Sequence, residues 1–257
     1  MTTLTSLPTR PLPEELARAA RAWAAGLVGA AGEGFRALYI YGSALAPGFD
    51  PASSDVNLLL VVEELPFDCL AAMADAAAKL PAADDKKAPR YRFTPLTLTA
   101  STLRDSADVF PIDFLDLKMR RALLTGDDVL ATLDVPLGNL RHQCEYELRS
   151  RLIGLRQSFL RAGGETGTAH ALTARAAGSS GSLFRHLLTL RGQAQPADPD
   201  LLARTVAATY GVDADGLDAP FDARRAPEPD EAAARLRFAA YLAALDQLVR
   251  AVDSDPR

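Results

Sequence analysis

The chain has 257 residues, with 28 Lys and Arg against 33 Asp and Glu and a formal charge of −5. That balance excludes the basic footprint that nucleic-acid binders carry. No stretch approaches the roughly 18 consecutive apolar residues of a membrane span, and the Thr/Pro-rich start from Met1 to Pro13 has no signal-peptide core. These features predict a cytoplasmic protein without a nucleic-acid or membrane partner. Cys69 and Cys144 lie far apart with no Cys or His at ligand spacing, so neither a disulfide framework nor a zinc site is expected. Both read as small buried apolar residues. Alanine occurs 48 times and 24 of the 28 basic residues are Arg, biases that favour helix.

Taken in chain order, Pro13 to about Ala31 reads as an amphipathic helix. Leu16, Ala19, Ala20, Trp23, Leu27 and Val28 recur at three- and four-residue spacing, with Gly29 and then Gly32 to Gly34 as stops. Ala37 to Tyr41 and Val56 to Val62 are apolar on successive positions, as strands covered on both faces are. The loop between them contains Gly42, Pro47, Gly48 and Pro51. Leu65 to Leu80 is helical by composition between Pro66 and Pro81, and after a polar loop, Asp84 to Pro89, a third strand is expected over Tyr91 to Thr99. From Ile112 onward strand signals fade, and Phe114 to Leu124 reads as a helix closed by Gly126.

Asn139 is the expected cap of a longer helix with an apolar stripe at Leu140, Cys144, Leu148, Leu152, Leu155 and Phe159, stopped by Gly163 and Gly164. Further helices are predicted over Ala169 to Ala177, Leu183 to Leu190, Leu201 to Tyr210 and Asp230 to Val252. The last carries Leu236, Phe238, Tyr241, Leu242, Leu245, Leu248, Val249 and Val252 on its apolar face. Gly211 to Pro229 reads as an exposed loop. The pattern is one of a strand-containing N-terminal domain followed by a helical bundle, divided near Val135 to Gly138.

The chemistry concentrates between the first two strands. Gly42-Ser43 closes one strand, eleven residues follow, and Asp55-Val56-Asn57 opens the next. With Tyr39-Ile40-Tyr41 before it and Leu58-Leu59 after it, this stretch resembles the signature of the polymerase-β-type nucleotidyltransferase superfamily. That signature ends a strand in Gly-Ser or Gly-Gly and begins the next with two carboxylates one residue apart; here the second carboxylate is Asn57. Two acids at i and i+2 on a strand share a face and can hold the same ions, and magnesium held by hard oxygen ligands neutralises the charge of a transferring phosphoryl group. Gly42 admits a phosphate close to the backbone, and the Ser43 hydroxyl can donate to it.

The resemblance implies an α+β fold, with a nucleotidyltransferase-like mixed sheet flanked by helices over residues 1–136 and an all-helical bundle over 137–257. This is the layout of the aminoglycoside nucleotidyltransferases. It implies Mg2+ at Asp55 with Asn57 as a weakened second ligand, catalytic roles for the same pair, and nucleotide binding by Gly42 and Ser43. The partners would be a nucleoside triphosphate and a small-molecule acceptor. A third carboxylate is expected on a later strand, yet Tyr91 to Leu98 contains none. Asp113 and Asp116 share a helical face at i and i+3, from which one could reach the site.

Plainer readings exist for each feature. Gly, Ser and Asp are ordinary turn residues. Asn57 could tie two loops together, and Asp113 and Asp116 could form a solvated face. Arg141, Arg149, Arg151 and Arg156 are expected to be solvated or paired with Glu145 and Glu147 rather than to reach a triphosphate. His142, His170 and His186 have no mutual metal spacing and are expected at the surface or in packing. Two functions follow. One is magnesium-dependent transfer of a nucleotidyl group to a hydroxyl; the other is a catalytically degenerate relative that binds nucleotide or works through a protein partner at its helical bundle.

Overall fold

The structure is a computed structural model describing residues 10–46, 49–51, 54–80, 91–227 and 230–254. The expected turn residues Pro47 and Gly48, the stop at Pro81, the polar loop from Asp84 to Pro89, most of the Thr/Pro-rich start and Pro229 lie outside these. The described residues divide into two compact units, one up to Pro136 and one from Leu137 onward.

The first unit begins with α1 (Glu14–Ala31), which runs through the expected stop at Gly29 and ends at Gly32, φ 55°. Then follow β1 (Phe35–Tyr41), β2 (Val56–Val62), α2 (Phe67–Ala77), β3 (Phe93–Thr99), α3 (Ala100–Asp105), α4 (Pro111–Met119) and β4 (Arg121–Gly126). Among the described residues the strands form one mixed sheet in the order β3-β2-β1-β4. β1 runs antiparallel to β2 and β4, and β2 runs parallel to β3. The successive apolar positions in β1 and β2 are explained by covering on both faces. Leu38, Ile40, Leu58 and Leu60 pack with Leu16, Ala20, Leu27 and Met73 of α1 and α2. On the other face Tyr39 and Leu59 are fully buried. Each such Leu contributes about 1.5–3 kcal/mol through burial. Burial also pushes the Tyr39 phenol up to about 12, while its hydroxyl donates to the Asp127 carbonyl at 3.1 Å and accepts from the Leu130 amide at 3.3 Å.

The helix expected over Phe114 to Leu124 is corrected. Only its first part is helical; the chain breaks at Arg120 and continues as β4 against the free edge of β1. Its partners in β1 are 80 to 89 residues away in sequence, so the strand takes its identity from the sheet edge and not from its own period.

The second unit is helical among its described residues: α5 (Leu140–Arg161), α6 (Thr168–Leu190), α7 (Pro199–Tyr210), α8 (Ala214–Arg225) and α9 (Glu231–Asp253). Asn139 occupies the position before α5 without making a side-chain cap. Two predicted helices are one, because Gly178-Ser-Ser-Gly181 continues α6. Ser180 is buried with its hydroxyl donating to the Ala176 carbonyl at 2.8 Å, and Arg151 of α5 donates to the Ser180 hydroxyl oxygen at 2.9 Å. The loop expected over Gly211 to Pro229 contains α8, most of it buried, despite Pro220 inside it. Asp213 caps it by accepting from the Gly216 amide at 2.9 Å. On α9 the apolar face is as expected except at Leu236, which is 73% exposed. Cys144 and His186 are buried, whereas Cys69 is half-buried.

Candidate functional site

β1 delivers Gly42 and Ser43 at its C-terminal end, and antiparallel pairing sets Tyr41 opposite Asn57 at the start of β2. Opposite residues in such a pair share a face, so Tyr41, Asn57 and, two residues earlier, Asp55 all lie away from α1 and α2. Gly42 has φ +75°, a conformation that an L side chain adopts only under strain, and a Cβ there would lie 3.3 Å from the Asn57 amide nitrogen. The Gly42 N–H donates to the Arg120 carbonyl at 3.0 Å, which ties the turn to the end of α4. Arg10 holds the rest of the short 3-10 turn Gly42–Leu45: its Nε donates to the Ala44 carbonyl at 2.8 Å and its N–H to the Leu45 carbonyl at 2.9 Å. Ser43 is exposed and Asn57 half-buried; Asn57 is the one residue of β2 that is not buried.

The four expected site residues are therefore at one end of the sheet: Gly42, Ser43, Asp55 and Asn57. A residue that sequence reasoning missed stands with them. Parallel pairing sets Phe93 beside Val56, which brings Arg92 alongside Asp55. The Arg92 Nε meets Asp55 Oδ1 at 2.9 Å with both side chains about half exposed. Nothing in the sequence marks Arg92, because its role depends on the register of two strands joined through α2. On β3 the residue paired with Asn57 is Thr94, so the expected third carboxylate is missing from the strand that flanks the site.

Asp113 and Asp116 of α4 act on the same end of the sheet. Burial first, and then the negative charge of these two carboxylates, pushes the Tyr41 phenol above its ordinary value. Four arginines of α5, Arg141, Arg149, Arg151 and Arg156, have partners within the helical unit. Arg141 and Arg149 pair with Glu145 at 3.3 and 2.8 Å, Arg156 with Asp246 at 3.3 Å, and Arg151 with Ser180. Glu147, the other expected partner, does not replace them in these pairs.

Magnesium prefers several hard oxygen donors in near-octahedral array. Here Asp55 is engaged by a guanidinium, Asn57 brings a neutral amide and β3 brings no acid. Among the described residues no group of three or more His, Cys, Asp or Glu is placed to hold a metal ion. The Asp55 and Asn57 pair carries one negative charge fewer than the two-carboxylate pair of the motif it resembles.

The mixed four-stranded sheet with its flanking helices, followed by a helical region, is a nucleotidyltransferase-like architecture. Neither a protein-family model nor a curated protein matches the sequence. Among solved structures, the chain is similar to spectinomycin adenyltransferase AAD(9) from Enterococcus faecialis, determined with ATP and spectinomycin. The TM-score is 0.57 at 14% identity, over 91% of this chain and 98% of that one. At this identity the likeness is one of fold.

Proposed function

We propose that this chain is a nucleotide-binding protein on a nucleotidyltransferase-like scaffold, divided as 1–136 and 137–257, in which the transfer step has been lost. Gly42 and Ser43 receive the phosphates of a nucleoside triphosphate, and Asp55 and Asn57 line the same face. The observation that carries the reading is the Asp55–Arg92 ion pair beside an Asn. A carboxylate that could hold a cation from solution is already paired with a cation of the chain, and its strand neighbour has no charge to add.

A second reading is supported by coverage of nearly the whole length of an adenyltransferase determined with ATP and spectinomycin. It is magnesium-dependent transfer of a nucleotidyl group to a hydroxyl of a small molecule, with Asp55 released from Arg92 when metal and nucleotide enter together. The two are separated by incubating the purified chain with ATP or GTP, magnesium and hydroxyl-bearing acceptors that include spectinomycin, and measuring pyrophosphate release beside calorimetric nucleotide binding. Binding without acceptor-dependent pyrophosphate supports the first reading. Acceptor-dependent turnover that Asp55→Ala abolishes supports the second.

A further inference from the structure

We infer that Arg92 serves as the site's own cation, so that the phosphates of a nucleotide bind here without a divalent metal. The inference rests on the proposal that Gly42, Ser43, Asp55 and Asn57 receive a nucleotide, and it concerns what supplies the positive charge there.

In a metal-dependent site the carboxylates are acceptors that bind cations, and the cations in turn bind phosphate oxygens. Three features of this site reverse that polarity. The Asn57 amide carries N–H donors that an aspartate lacks. Arg92 is held on the same strand end, at hydrogen-bond distance from Asp55. A guanidinium has five N–H donors in a fixed fork suited to phosphate oxygens, more than the one contact from Nε to Asp55 uses, and the Arg92 side chain is about half exposed. Gly42, on the β1 side of Asn57, lacks the Cβ that would otherwise crowd the Asn57 amide, so that donor stays accessible.

Asp55 then has a role opposite to that of a metal ligand. It orients the Arg92 fork, and its negative charge opposes the incoming phosphate. This gives a test in which the two accounts differ in sign.

ATP, GTP and inorganic triphosphate are titrated calorimetrically into the whole chain in EDTA and then in magnesium. The same titrations are made with Arg92→Gln, Arg92→Lys and Asp55→Asn, each checked by thermal melting. The expected result is binding in EDTA as tight as in magnesium, about tenfold or more weaker with Arg92→Gln, partly kept with Arg92→Lys, and tightened with Asp55→Asn. Binding that requires magnesium, or that Asp55→Asn destroys, would overturn the inference while leaving the nucleotide reading intact. Binding unaltered in Arg92→Gln would overturn it as well. If neither nucleotide binds in either buffer, the nucleotide reading fails and the inference falls with it.

Discussion

Gly42 links the backbone to the chemistry. Its φ of +75° is one that any L residue strains to adopt, and its nearest neighbour is the Asn57 amide. In Gly42→Ala the added methyl meets that amide at a distance few real contacts show, so Asn57 must shift while the turn pays for left-handed backbone. We expect a loss of about 1–2 kcal/mol in stability and about tenfold in nucleotide affinity, read by chemical denaturation and by titration. At this scale much was legible in the sequence. The pair of glycine turn and Asp-x-Asn is contiguous, and strand periodicity alone puts Asp55 and Asn57 on one face. Arg92 was not legible, because an ion pair across 37 positions exists only once the β2/β3 register is known. Nor could sequence say that Asp113 and Asp116 bear on Tyr41, since the break at Arg120 determines where α4 ends.

Among elements, α1, β1, β2, α2, β3, α5, α7 and α9 follow from their own patterns, and those that do not were decided by packing. β4 forms because β1 has an edge to complete. α6 continues across Gly178 to Gly181 with Ser180 as the buried residue of the four, its hydroxyl satisfied by the Ala176 carbonyl and by Arg151 of α5. α8 is the clearest example. Gly211, Gly216 and Pro220 read as loop residues, yet Gly216 is there because α9 leaves no room for a side chain. A Cβ at Gly216 would lie 2.6 Å from the Ala244 Cβ and 2.7 Å from the Ala240 carbonyl oxygen. Gly216→Ala should therefore destabilise the chain by about 1–3 kcal/mol, although alanine is the better helix former. Equilibrium denaturation measures this, and an unchanged or raised stability would refute the close approach of α8 and α9.

For the molecule as a whole, a few carboxylates are shifted, and in opposite directions. Glu145, hydrogen-bonded by Arg149, and Glu231, which accepts from the Gly167 amide and then from Arg235, are both held below their ordinary values. Asp128 is also lowered, because Arg121 and Tyr39 outweigh the burial that opposes them. Groups lowered in this way contribute stability above their unfolded pKa that is lost as the pH falls through the folded one. Asp218 is the reverse. Burial raises it, against the pull of Arg204 at 2.9 Å, so its contribution is complete below its unfolded value and is lost as the pH rises through the folded value. At neutral pH Asp218→Asn should raise the melting temperature, an advantage that fades on acidification below the ordinary carboxylate range. Glu145→Gln should lower it at neutral pH and make no difference in acid. Melting curves from pH 3 to 7 on these two variants check both signs.

The central claim is that the turn after β1 and the start of β2 form a nucleotide site. Backbone and side-chain amide NMR of the isotope-labelled chain during an ATP titration tests it most directly. The account predicts saturable shifts concentrated at Gly42, Ser43, the Asn57 side-chain amide and the Arg92 guanidinium. Shifts absent at millimolar ATP, or confined to residues of α5 to α9, would contradict it.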